Sequence, residues 1–195
     1  MEKNKYYGLA QLRALENEQE DMILEGYAIK FNQPTQPKFK ELYGYTEIIG
    51  ERALDNTDLS DVPLKYNHSD EKVILARTRG GTLNLIKDEI GLKIRALLNR
   101  KIPDHVSVYE AVKSGLIDKM SFGFFPDEEM NSYDGENRTI TINRILALTD
   151  VSVVDIPAYD STEVYARNLE SLNNIELKNK ELELRKRKLK VLLSL

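Results

Sequence analysis

The 195-residue chain has no cysteine, which excludes disulfides, a thiol nucleophile and any thiolate metal site. It has two histidines, His68 and His105, so a mechanism that needs an imidazole has two candidates. Those two are far apart in sequence and no calcium-loop spacing occurs, so metal chemistry would be left to carboxylates alone. No apolar run approaches the ~20 residues of a membrane span. The opening Met1-Glu2-Lys3-Asn4-Lys5 leads into polar sequence rather than the apolar stretch of a signal peptide. The net charge of −4 favours neither nucleic acid nor an anionic membrane as partner. What is present is 41% hydrophobic and 31% charged residues, enough for a real core. The expectation is a soluble intracellular protein, one domain with appendages.

Residues 1–20 are charged and weakly patterned and read as a variable lead-in. Gly26 to Phe31 alternates as a half-buried strand does. Asn32 to Pro37 is a loop, Tyr45 to Ile49 a short strand, and Leu54 to Asp61 turn-rich. Val62 to Tyr66 is a short apolar stretch that delivers Asn67-His68-Ser69 at its end. Val73–Arg77, Gly81–Ile86 and Leu92–Leu98 are three runs separated by turn residues, a spacing that predicts antiparallel hairpins. Pro103-Asp104 starts a helix with Asp104 as its N-cap, and Val108, Ala111, Val112 and Leu116 lie at helical spacing. Gly115 is its breaker. Met120 to Phe125 is an apolar strand and Asp127 to Asn137 an acidic loop. Arg138–Ile142 and Ile145–Ile156 are further strands. After about Thr162 the composition shifts, and Tyr165 to Leu195 is rich in Leu, Glu, Lys and Arg without Gly or Pro. This predicts a helical tail over 167–195, whose two seven-residue sets of apolar positions are offset and make no clean coiled-coil seam. The fold class is therefore mainly β, a small antiparallel barrel over 21–166 with short peripheral helices and a C-terminal helical tail.

Three residue types stand out chemically. Ser121 lies in the apolar Met120-Ser121-Phe122-Gly123-Phe124 run, where a buried hydroxyl needs a partner. Gly123 shares its face and leaves room beside it. A core serine bonded to a neighbouring carbonyl would look the same. His68 stands at a strand–loop junction, and by position alone it equally suits a surface histidine in a polar turn. His105 reads as a solvated residue in the first turn of its helix. Asp150 and Asp155 flank Val151-Ser152-Val153-Val154. A carboxylate on a buried strand needs a cationic or N–H partner, yet either aspartate could equally cap a strand end at the surface, Asp155 the more so because Pro157 follows it closely. The run Lys186-Arg187-Lys188 with Lys190 suits a solvated helix face. No G-x-S-x-G supports an α/β-hydrolase elbow.

Taken in order, "GYAIKFN", the Asn-His-Ser segment, "GLKIRALL", "AVKSGLI", "MSFGF" and "DVSVVDIPAY" resemble the prohead (capsid maturation) proteases of tailed phages, relatives of herpesvirus assemblin. The resemblance spans roughly Glu25 to Ala166. It implies a compact β-barrel serine protease that uses no cofactor, with Ser121 as nucleophile, His68 as general base and Asp150 as the residue that orients His68. The herpesvirus relatives carry a second histidine in that third place, and no histidine lies near that strand here. Should Asp150 not serve, Asp155 or Glu128 would be the acidic alternatives. Backbone N–H groups of Asn143 to Leu146, with Arg144 nearby, are expected around the oxyanion. The resemblance also implies cleavage of the major capsid protein's scaffolding segment or of a scaffold protein, and self-cleavage, inside the immature capsid in the host cytoplasm. A homo-oligomer is compatible with this, and neither nucleic acid nor membrane is an expected partner. The reading from another class is a non-catalytic capsid-assembly scaffold on the same barrel.

Overall fold

A computed structural model describes residues 6–16, 22–35 and 37–154 of the chain. Asp155 and the whole tail lie outside the described residues, as does the end of the last expected strand. Two sheets carry the fold. The larger has eight strands: β1 (Tyr6–Glu16), β2 (Met22–Lys30), β4 (Pro63–Tyr66), β5 (Ala76–Arg77), β6 (Leu83–Lys87), β7 (Gly91–Leu98), β8 (Lys119–Pro126) and β11 (Ile145–Val154). Their order is β5-β4-β11-β8-β1-β2-β7-β6. The smaller sheet joins β3 (Thr46–Ile49), β10 (Thr139–Ile142) and β9 (Ser132–Asp134). Among the described residues two α-helices accompany them, α1 (Pro37–Tyr43) and α2 (Pro103–Lys113).

Period-two patterning explains the best-formed strands. In β7, Leu92, Ile94, Ala96 and Leu98 are buried, whereas Arg95 and Leu97 are exposed. Slipping that register by one residue would turn the apolar set outward. On the outer face Glu25 of β2 stands opposite Arg95 and is ion-paired to both Arg95 and Lys93. The β2–β7 ladder is irregular between Tyr27 and Ile29. There Gly91 passes so close to β2 that an added Cβ would lie 1.9 Å from the Ile29 carbonyl oxygen. Any side chain at 91 would push the two strands apart.

The mainly β expectation holds, but the closed antiparallel barrel does not. Among the described residues the eight-stranded sheet is open, with β5 and β6 at its edges, and β4 pairs with β11 in parallel. The hairpin expected between the first two of the three adjacent runs is absent. β5 is two residues long and pairs with β4, while β6 pairs with β7. A 3-10 turn over Thr78–Gly80, followed by Gly81 at φ 68°, diverts the chain between them. One pinch joins the two edges: Arg77 N–H donates to Thr82 Oγ1 at 2.9 Å and Thr82 N–H to the Arg77 carbonyl at 3.3 Å. The opening segment also departs from expectation, because residues 6–16 form β1 between β2 and β8, inside the sheet.

Helix α2 begins at Pro103 with Ile102 as an N-cap that makes no side-chain bond. Asp104 is thus a first-turn residue, placed to favour the helix dipole rather than to cap. At the other end Gly115 (φ 76°) donates to the Val112 carbonyl and Leu116 donates to that of Ala111. This pair of bonds is a Schellman motif, which requires the left-handed conformation that glycine adopts without strain. Leu116 lies beyond it and is exposed.

Alternation in β3 carries one residue into an unfavourable place. Glu47 shares the buried face with Ile49 and stands opposite Ile140 of β10. Burial pushes its carboxyl up to about 8, so the folded protein holds this proton far more tightly than the unfolded chain does. The stabilisation is full below the ordinary carboxyl range and is lost as pH rises toward 8. The total change is on the order of 3–5 kcal/mol. Glu47→Gln is expected to flatten this dependence, matching the wild type at pH 5 and exceeding it in urea midpoint at pH 8.5. Parallel pH dependence in both proteins would contradict it.

Candidate active site

The site is built on β4, β11 and β8, which lie side by side. Val151 and Val153 of β11 turn to the core with Leu64 of β4 and with Met120 and Phe122 of β8, all five buried. The opposite face therefore carries Asp150 and Ser152 of β11, Lys65 of β4, and Ser121 and Gly123 of β8. Register places Ser152 opposite both Lys65 and Ser121, and Asp150 opposite Gly123. This face is polar and yet covered: Ser121 is 1% exposed, and Asp150 and Ser152 are 0%.

β4 ends in a tight turn. Ser69 N–H donates to the Tyr66 carbonyl at 3.0 Å, and the two central residues, Asn67 and His68, have φ of 51° and 54°. Positive φ at both centres is the pattern of a type I′ turn. Asparagine enters that region readily, and histidine more readily than most residues. The sheet holds the turn in place. Asn67 N–H donates to the Val153 carbonyl at 2.9 Å, and His68 N–H donates to Ser152 Oγ at 3.2 Å.

This delivers the ring of His68, 7% exposed, to the carboxylate of Asp150, with Nδ1 2.5 Å from Oδ1. Ser152 Oγ donates to the same Oδ1 at 2.8 Å, and Thr149 Oγ1 donates to Oδ2 at 3.1 Å. These donors replace the water that a buried carboxylate loses. A carboxylate only accepts, so a ring proton sits on Nδ1, and in the neutral ring Nε2 is then the acceptor. Hydroxyl activation needs a base oriented in this way within hydrogen-bond reach of a serine; Ser121 lies on β8, the strand next to the one that carries Asp150 and Ser152. Paired residues on adjacent strands are ~4.5–5.5 Å apart at Cα, and Ser121 stands in that relation to Ser152.

A family model described as caudovirus prohead serine protease matches residues 10–176. The chain belongs to that family. No curated protein and no solved structure matches it. The expectations of a serine protease, a bacteriophage prohead and capsid maturation are those of the family.

The other candidates of this prohead protease fall elsewhere. His105 is not a solvated first-turn residue. It is 5% exposed, its Nδ1 accepts from the Asn99 N–H at 3.0 Å, and its Nε2 lies 3.1 Å from the Ile74 carbonyl. Both nitrogens are committed to backbone, so the ring is a neutral structural tie between α2 and two loops. His105→Gln is expected to lower stability by about 1–3 kcal/mol, since one buried backbone group loses its partner. Reaction with a fluorophosphonate per folded molecule should stay within twofold. Loss of that reaction with unchanged stability would transfer the base role to His105.

The segment expected around the oxyanion lies at the wrong end of β11. Ile145 stands opposite Pro126, whereas Ser152 stands opposite Ser121. Seven residues of strand separate the two places, roughly 23 Å. Ile145 N–H is already bonded to the Ala53 carbonyl, and Arg144 pairs with Asp127 at 3.5 Å. Glu128 is an exposed residue of a 3-10 turn beyond the end of β8, away from His68. Three residues of the site escaped the sequence reading: Thr149, Ser152 and Lys65. Lys65 is half of an ion pair with Asp70, which follows the His68 turn. The only available signal was the polar spacing Asp150-Val151-Ser152, and its meaning depends on register. Among the described residues no cluster of metal-ligating side chains occurs, and no helix is long and apolar enough to cross a membrane.

Proposed function

We propose that this prohead protease is a serine endopeptidase acting by acyl transfer, with Ser121 as nucleophile, His68 as general base and Asp150 as the residue that orients it. The observation carrying this is the 2.5 Å contact of His68 Nδ1 with buried Asp150, on the sheet face that also bears Ser121. His68 Nε2 takes the Ser121 proton as Oγ bonds to the scissile carbonyl carbon. Asp150 stabilises the imidazolium that results. The imidazolium then protonates the leaving amine as the C–N bond breaks. Water attacks the acyl-enzyme with His68 again as base, and Ser121 is released.

The substrates in this reading are the scaffolding segment of the major capsid protein or a separate scaffold protein, and the chain itself. Cleavage takes place inside the prohead in the host cytoplasm. Family membership supports this. The protease unit would be residues 21–166 with β1 added, and 167–195 a helical tail. The test is co-expression with the coat and scaffold proteins of the same phage. Mass spectrometry should find one of them shortened at a defined bond. Intact coat, scaffold and protease in assembled proheads would contradict the reading.

A further inference from the structure

We infer that Ser152 is a positioning residue of this active site, coupling the turn that carries His68 to the carboxylate that orients it. The inference rests on the proposed roles of Ser121, His68 and Asp150. Ser152 Oγ does two things at once. It accepts the backbone N–H of His68 at 3.2 Å and donates its proton to Asp150 Oδ1 at 2.8 Å, the oxygen that also meets His68 Nδ1. Backbone and ring of His68 are thus tied through one hydroxyl and one carboxylate oxygen on the same strand face. The hydroxyl is wholly buried and stands directly opposite Ser121.

Two consequences follow from removing it. First, the His68 turn, with two residues at positive φ, loses a bond that holds it against β11. Displacement of a base by a fraction of an ångström costs rate in proportion to misalignment. Second, Asp150 Oδ1 loses a competing donor, so more of its negative charge faces the ring and the imidazolium is favoured. The other charged groups on the elements packed here are Lys65 of β4, paired with Asp70, and Lys119 of β8, paired with Asp118. Both cations are already paired, so the local change is dominated by Asp150.

The experiment is the pH profile of Ser121 reaction with a fluorophosphonate, in the full chain, for wild type and Ser152→Ala. In that reaction Ser121 Oγ bonds to phosphorus, fluoride leaves and the hydroxyl proton passes to His68. Rates are expressed per site that finally labels, so a partly folded preparation still gives a reading. Ser152→Ala is expected to lower the maximal rate constant on the order of 10–100-fold, to leave the probe's half-saturating concentration within about twofold, and to move the acid limb to higher pH. A variant that reacts as the wild type does would overturn the inference. So would a slower reaction with an unmoved acid limb, or failure to fold, since either gives Ser152 a purely structural role. Absence of reaction in the wild type itself would instead remove the nucleophile assignment beneath it.

Discussion

Ser121→Ala and His68→Ala should each lower peptide-bond cleavage by roughly 10⁴–10⁶-fold, and the double variant should be little worse than either. The members of such a unit act together: without the base the hydroxyl is a poor nucleophile, and without the hydroxyl the base has no proton to take. Neither change should destroy the fold. Ser121→Ala removes one atom from a buried strand position. His68→Ala leaves Asp150 with the Ser152 and Thr149 donors. It also places alanine at φ 54°, a conformation asparagine tolerates better. His68→Asn is therefore the gentler companion, keeping the turn while removing the imidazole. The measurement is the rate of coat or scaffold processing together with thermal unfolding of each variant. Processing at a normal rate by a folded Ser121→Ala protein would end the assignment.

Asp150→Asn should slow the reaction by about 10³–10⁴-fold. The geometry specifies how. Oδ1 meets two donors, His68 Nδ1 and Ser152 Oγ, while Oδ2 meets Thr149 Oγ1. An amide that keeps its oxygen toward His68 loses the charge that stabilises the imidazolium. An amide that turns its NH₂ toward His68 forces the other tautomer and puts the ring proton on Nε2. Both outcomes slow proton abstraction, and neither disturbs the core face of β11. Stability should therefore change by less than about 2 kcal/mol, because the amide is neutral and still bonded. A rate loss below tenfold in a folded protein would remove Asp150 from the mechanism.

The parts of the fold that were legible in the sequence are those governed by a local period. β7 shows it most clearly, β8 and β11 were legible instead as apolar runs, and the glycine at 115 announces the end of α2 through its backbone requirement. β1 was not legible, because Leu9, Leu12 and Leu15 recur every three residues and fit no strand period. Its place between β2 and β8 is set by pairing with segments distant in the chain. Closure of the barrel was misjudged because it depends on whether β5 and β6 pair, and a short 3-10 turn prevents that.

The site divides in the same way. Scarcity of histidine left two candidate bases, and the resemblance to prohead proteases chose His68 and pointed to Ser121 and Asp150; the aspartate on a buried strand needed a partner, and His68 meets it. The role of Ser152 was hidden, since a serine in a valine-rich strand looks ordinary until register sets it opposite Ser121 and beneath the His68 turn. His105 was misread because helix position suggested solvent. Its actual partners, Asn99 and Ile74, come from loops whose approach no local pattern encodes.

The central claim is that His68 activates Ser121, and the most direct measurement is covalent reaction with a fluorescent fluorophosphonate, mapped by peptide mass spectrometry. The account predicts a single adduct on Ser121 in the wild-type chain, none in Ser121→Ala, and strongly slowed formation in His68→Asn. An adduct on another serine, or equal labelling of the wild type and His68→Asn, would contradict it.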